Sequence, residues 1–82
     1  EEVAIGDGPI AAAYNAIDKI IPAPPHILED YTIASVTEGN DALGEVVVKI
    51  RNGEKMVIGR GLSTDIIEAS IIAYVNGLNR LL

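Results

Sequence analysis

The chain has 82 residues, no cysteine and one histidine, so it holds one domain at most, near the lower size limit for a self-sufficient core. A disulfide framework, a thiolate metal site and a histidine cluster are all excluded. Twelve acidic residues against six basic ones give a formal charge of −6. Because Lys19, Lys49, Arg51, Lys55, Arg60 and Arg80 are scattered, there is no basic stripe for nucleic acid.

No apolar run reaches the roughly 18 residues needed to span a bilayer. No charged-then-apolar signal peptide opens the chain, so no membrane partner and a cytoplasmic setting are expected. Stability has to come from packing, which an oligomer would assist. The chain opens on Glu1 rather than methionine and reads as a piece of something longer.

Val3 to Ile5 predicts the tail of a strand that ends at Gly6. Pro9 suits the first helical position, where its missing N–H costs nothing and its φ is already helical. From Ile10 to Ile21 the large apolar residues Ile10, Tyr14, Ile17, Ile20 and Ile21 fall on one stripe, which predicts a helix of about three turns. Pro22, Pro24 and Pro25 end it and impose an extended connection over residues 22–28.

Tyr31 to Glu38, rich in β-branched residues, predicts a strand, with Gly39-Asn40-Asp41 as its turn. Glu45 to Arg51 alternates: Val46, Val48 and Ile50 share one face and Glu45, Lys49 and Arg51 the other, with Val47 the exception. Asn52-Gly53 marks a hairpin into Glu54 to Arg60. A two-residue Asn-Gly loop pairs Val48 with Val57 and leaves Met56 and Ile58 beside Lys49. A three-residue loop with Gly53 left-handed pairs Val48 with Met56 and Val46 with Ile58, and is preferred because it gathers one apolar face.

Ser63, Thr64 and Asp65 are competent caps, and Glu68 stands three residues after Asp65, so a helix starts here. Ile67, Ile71, Tyr74, Leu78 and Leu81 carry its apolar stripe to the end of the chain. The order βαβββα predicts an α+β two-layer sandwich, an antiparallel sheet with both helices on one face. An imperfect internal repeat accompanies it. IGDGP at Ile5 to Pro9 and IGRGL at Ile58 to Leu62 each close a strand and open a helix, and each helix carries an Ala-Tyr pair, Ala13-Tyr14 and Ala73-Tyr74. Read as two copies of one unit, the first copy lacks its two leading strands.

Gly6-Asp7-Gly8 is not a dinucleotide loop, since Ala11 stands where the third glycine belongs, and no Gly-Lys-Ser/Thr follows for a Walker loop. What remains is a helix start: free first-turn amides suit a small carboxylate, and Asp7 beside them suits an ammonium group. That pair fits an amino-acid zwitterion, although a plain capping role for Asp7 is the simpler reading of the residues alone. Asp41, Asp65 and Glu68 read as turn and cap residues rather than a metal site. His26, among prolines, is expected to face solvent, and no base-plus-nucleophile pair can be assembled around it. Tyr31 and Tyr74 read as core or interface residues whose hydroxyls find partners, and Tyr31 is also placed to line a pocket.

GDGPIAAAYNAI, EDYTIASVTEGNDALGEVVVKI and GRGLSTDIIEASIIAYVNGLNRLL, in that order, resemble the C-terminal regulatory domain of 2-isopropylmalate synthase, which citramalate synthase shares. The resemblance covers nearly the whole chain. It implies two pseudo-symmetric βββα units, here truncated to residues 1–21 of the first and 29–82 of the second, and pairing with a second copy. It also implies an amino-acid effector, leucine or isoleucine, bound near the dimer interface to inhibit a distant catalytic barrel of the same polypeptide.

Carried over residue by residue, it places Asp7, Gly8, Pro9, Ile10 and Ala11 at the effector. Leu28, Tyr31 and Ser35 join from the strand after the first helix, Ile66 from the second helix start, and Ala42 as a further candidate. It therefore favours the ammonium-binding role of Asp7 over the plain cap. No catalytic residue and no cofactor belong to this region, since the divalent metal implied for the family sits in its barrel. The departure from the family is the missing leading pair of strands, which predicts an exposed apolar face and an open sheet edge. A dimerisation module without a ligand, or a small acid-base enzyme, are the competing readings.

Overall fold

The computed structural model describes residues 8–35 and 43–82. The strand tail at Val3 to Ile5, Asp7, the Gly39-Asn40-Asp41 turn and Ala42 lie outside the described residues. Helix α1 spans Gly8–Ile20, strand β1 Ile27–Ser35, β2 Gly44–Asn52, β3 Lys55–Ser63, and helix α2 Ile66–Leu81. The strands form one antiparallel sheet in the order β1-β2-β3. Helix α2 lies over β3 and β2, and α1 makes its close backbone approach to α2. This is the α+β sandwich expected from the sequence.

In α1, Ile10 and Tyr14 are buried and Ile17 and Ile21 are half-buried, but Ile20 is 77% exposed. At 100° per residue Ile20 points well away from the line through Ile10, Tyr14 and Ile21, so it does not belong to the buried stripe. The proline connection is shorter than expected. β1 starts at Ile27, because His26 and the Pro25 carbonyl are already tied down and the chain can pair at once with Arg51. A register shift between Leu28 and Asp30 then sets Leu28, Tyr31, Ile33 and Ser35 across from Ile50, Val48, Val46 and Gly44.

Val46, Val48 and Ile50 are fully buried, as their alternation requires. The hairpin differs from both registers weighed above. Asn52 pairs with Lys55 around a Gly53-Glu54 loop, so Val48 faces Gly59 and Val46 faces Gly61. Gly53 does adopt φ +59°, at the first loop position, as a II′ turn requires. Met56 and Ile58 therefore point outward beside Arg51 and Lys49, 41% and 40% exposed.

The reason is steric. A Cβ on Gly59 would meet the Ala73 carbonyl oxygen and stand 2.8 Å from the Gly77 Cα, and one on Gly61 would stand 2.6 Å from the Ala73 nitrogen. The face beneath α2 is thus chosen for smallness, not for bulk. IGRGL accordingly lies inside β3, not at its end, so Gly61 is a strand residue whereas Gly8 starts α1; Ile5, Gly6 and Asp7 lie outside the described residues.

The same contact shifts the expected stripe of α2. Ala69, Ala73 and Gly77, four residues apart, face β3, while Ser70, Tyr74, Leu78 and Leu81 fill the flank beside them. Ile67 is 40% exposed and Ile71 half-buried. The cap is as read, with one change of partner. Asp65 accepts from the Ile67 amide at 2.9 Å, but the Glu68 carboxylate accepts from the Ser63 hydroxyl at 2.7 Å. Ser63 Oγ in turn accepts the Asp65 amide at 3.0 Å.

Candidate functional site

Three elements meet at Ser70, a fully buried polar residue of α2. Its hydroxyl donates to the Ile66 carbonyl at 2.7 Å and lies 2.6 Å from the Tyr31 hydroxyl of β1. The Tyr14 hydroxyl of α1 donates to the Ser70 carbonyl at 2.8 Å. Among the described residues no buried side-chain polar atom lacks a partner, so this junction is fully satisfied. Beside it the Tyr14 and Tyr74 rings stack with centroids 4.0 Å apart and planes 9° apart. The Tyr74 hydroxyl donates to Asp18 Oδ1 at 2.6 Å.

His26 closes the cluster. Its Nε2 lies 3.0 Å from the Tyr74 hydroxyl and 3.2 Å from Asp18 Oδ1, and its Nδ1 lies 2.7 Å from the Pro24 carbonyl oxygen. Only 10% of its side chain is exposed, which corrects the expectation of a solvent-facing histidine. The ring is drawn inward because α1 and α2 offer a carboxylate and a phenol where the prolines turn the chain. Burial is the main cause of a raised pKa at both Tyr14 and Tyr74, and at Tyr74 the Asp18 carboxylate adds to it. Both phenols stay protonated donors throughout the neutral range. The readings of Tyr31 and Tyr74 as residues whose hydroxyls find partners hold.

The effector candidates are distributed unevenly. Tyr31 and Ile66 are joined through Ser70, and Ile10, one turn before Tyr14, is buried in the same core. Gly8 and Pro9 are exposed and Ala11 half-buried at the start of α1. Ser35 pairs with Gly44, whose position is covered by Ile66. Leu28 is half-buried opposite Ile50, six residues along β2 from Gly44. At ~3.3 Å per residue that is roughly 20 Å from the Ile66 end. Asp7 and Ala42 lie outside the described residues.

At the Ile66 end two large apolar residues are exposed. Ile33 shares the helix-facing side of β1 with Tyr31, since it pairs with the buried Val46, yet it is 54% exposed. Ile67, at the start of α2, is 40% exposed. Ile33 and Ile67 are thus exposed apolar side chains on β1 and at the start of α2, the elements that carry Tyr31 and Ile66. A separate open groove of about 460 Å³ is lined by Ile58, Arg60, Asn76, Asn79 and Arg80 and touches none of the effector candidates. No group of three or more histidine or acidic residues among the described residues could hold a metal ion. No helix of the described residues is long and apolar enough to cross a membrane.

The junction residues Ser70, Tyr14 and Asp18 were not singled out as site candidates from sequence. One signal pointed at Tyr14, the repeated Ala-Tyr pair, because the two tyrosines it marks are the two that stack. Ser70, a hydroxyl inside an apolar helix, gave no more than a general preference for local backbone bonding.

Residues 1–82 match the model of the LeuA allosteric (dimerisation) domain. The chain is 60% identical to a 2-isopropylmalate synthase of Carboxydothermus hydrogenoformans, aligned over 100% of this chain and 16% of that protein. It is 53% identical to one of Salinibacter ruber, over 99% of this chain and 15% of that protein, and 52% to one of Ruminiclostridium cellulolyticum, over 96% and 15%. The chain spans about one-sixth of the length of the curated relatives it matches. A fully matched family model and a fold of the expected class agree, and the chain belongs to the family of LeuA allosteric (dimerisation) domains.

Proposed function

We propose that this domain senses a branched-chain amino acid, leucine before isoleucine, and transmits its binding to the catalytic barrel of a 2-isopropylmalate synthase as feedback inhibition. The observation that carries the reading is the convergence of Tyr31 and Ile66 on Ser70, with Ile33 and Ile67 left exposed on the same two elements, in a chain matched from end to end by an allosteric-domain family. An effector side chain of four carbons would pack against these apolar residues. Its carboxylate would meet the first-turn amides of α1, and its ammonium group would meet Asp7. Leu28, at the far end of β1, drops out of direct contact and becomes a core residue in this reading.

Inhibition follows from differential affinity. An effector that binds one arrangement of the dimer better shifts the pair toward it, and only by the ratio of those affinities. The Ser70 junction ties β1, α1 and the start of α2 together, so a ligand seated beside Tyr31 acts on all three. The parent enzyme would be a cytoplasmic homodimer or higher homo-oligomer, a transferase that condenses acetyl-CoA with 3-methyl-2-oxobutanoate in leucine biosynthesis. Its divalent metal would sit in the barrel, and this domain would take no cofactor.

Two variants test the site. Around Gly8 a Cβ would meet nothing within 4 Å, so Gly8→Ala should leave the thermal midpoint unchanged while obstructing close approach of the effector to the helix start. Asp7→Ala should weaken leucine binding by about tenfold or more, the usual worth of a charged hydrogen bond. If both variants leave leucine inhibition of the parent enzyme untouched, the domain is a dimerisation module and the effector site is elsewhere.

A further inference from the structure

We propose that the open edge of β3 is a strand-addition site for an extended acidic peptide segment, one whose side chains alternate between apolar groups and carboxylates. β3 ends the sheet order β1-β2-β3, so one of its sides has no neighbouring strand. Around the two-residue loop the flanking pair Asn52–Lys55 is hydrogen-bonded and the next pair is not. By that alternation the backbone groups of Met56, Ile58, Arg60 and Leu62 point away from β2. Asn76 of α2 meets one of them there, its Nδ2 donating to the Arg60 carbonyl at 2.8 Å. Among the described residues it is the only side chain bonded to the backbone of this edge.

Exposed edges are normally blocked by a proline, a bulge or a very short strand. Here the β2–β3 register runs without a shift from Gly44–Ser63 to Asn52–Lys55, and β3 contains no proline. Met56, Ile58 and Leu62 stand along the edge 41%, 40% and 49% exposed. The open groove of about 460 Å³ runs beside it, lined by Ile58 and Arg60 from β3 and by Asn76, Asn79 and Arg80 from α2. A strand added here would have unlike surroundings on its two faces. Side chains on one face would lie beside Met56, Ile58 and Leu62, and those on the other would turn toward Asn79 and Arg80. A period of two, apolar then polar, matches both.

The polar positions call for carboxylates. No acidic residue lines the groove, in a chain whose net charge is −6. Arg80 has no acidic partner among the described residues, and Arg60, 64% exposed, has only the Glu45 carboxylate at 3.5 Å. A second copy of β3 would bring its own Arg60 to the same edge and set like charges together, which favours an acidic segment over self-pairing. None of the effector candidates lines the groove, so the site stands apart from amino-acid sensing.

The probe is a fluorescent peptide of alternating valine and glutamate, long enough to span β3, titrated into the domain within its parent polypeptide and followed by anisotropy. It should bind, and the same residues rearranged into two blocks, or the alternating peptide methylated on the backbone nitrogens that face β3, should bind about tenfold or more weaker. Arg80→Glu should weaken the valine–glutamate peptide about tenfold or more and turn the preference toward a valine–lysine peptide. Ile58→Pro removes an outward N–H but no β2–β3 bond, and should lower the affinity for both peptides while circular dichroism stays native. Absence of binding, equal binding of blocked and alternating peptides, or indifference to Arg80→Glu overturns the site. So does loss of the parent's oligomer in Arg80→Glu with peptide affinity unchanged, which would make the edge an interface between copies.

Discussion

Helix α2 is held on its two sides by opposite kinds of contact. Toward β3 it is held by what is missing: Gly59, Gly61, Ala69, Ala73 and Gly77 bring backbone against backbone, with no side chain between. Toward α1 and β1 it is held by large polar rings and a hydroxyl, Tyr14, Tyr74, Tyr31, His26 and Ser70, linked by hydrogen bonds. The first contact has one solution, because close-packed backbone cannot slide without clashing. The second is made of groups that can exchange partners, change protonation or admit a ligand. A domain that must both keep its shape and respond needs one of each, and the boundary between them runs along α2.

If that contrast is right, the β3 side should break hardest. Gly59→Ala or Gly61→Ala forces α2 off the sheet, and a loss of about 3 kcal/mol or more is expected by chemical denaturation, near or beyond the upper range for overpacking. A loss below about 1 kcal/mol would mean that α2 can be lifted at little cost, and the contrast would disappear.

The polar side should instead respond to pH. Tyr14 and Tyr74 both have their pKa raised by burial above the ordinary 10.0. Above about pH 10 the unfolded chain loses phenolic protons that the folded chain keeps, so stability is full below that pH and falls as pH climbs above it. Alkaline unfolding should be less steep in Tyr74→Phe, which has one such proton fewer. An unchanged slope would show that the phenols are not the groups concerned. The smallest effect belongs to neither side. Arg51→Ala breaks an exposed pair with Glu29 and should cost only a few tenths of a kcal/mol, less still at high salt.

The same division explains what could be read from the residues. Val46, Val48 and Ile50, the Asp65 cap and the left-handed Gly53 were legible because each depends on neighbours in the chain. The register of β3 was not, because the preference for a continuous apolar face assumed that burial needs bulk, whereas α2 demanded glycine opposite Val46 and Val48. His26 was misread for a related reason, since its partners Asp18 and Tyr74 are 8 and 48 residues away and only the fold brings them together. Of the effector candidates, Tyr31 and Ile66 converge, whereas Leu28 was separated from Ile66 by a strand length that a motif match does not reveal.

Leucine and isoleucine differ by the place of one methyl group, worth about 1–3 kcal/mol in an apolar pocket. Calorimetric titration of both amino acids into the domain within its parent polypeptide, alongside Asp7→Ala, tests amino-acid sensing directly. Saturable leucine binding is expected, several-fold or more tighter than isoleucine, and Asp7→Ala should weaken it about tenfold or more. Absence of heat and of any thermal shift with either amino acid would contradict it.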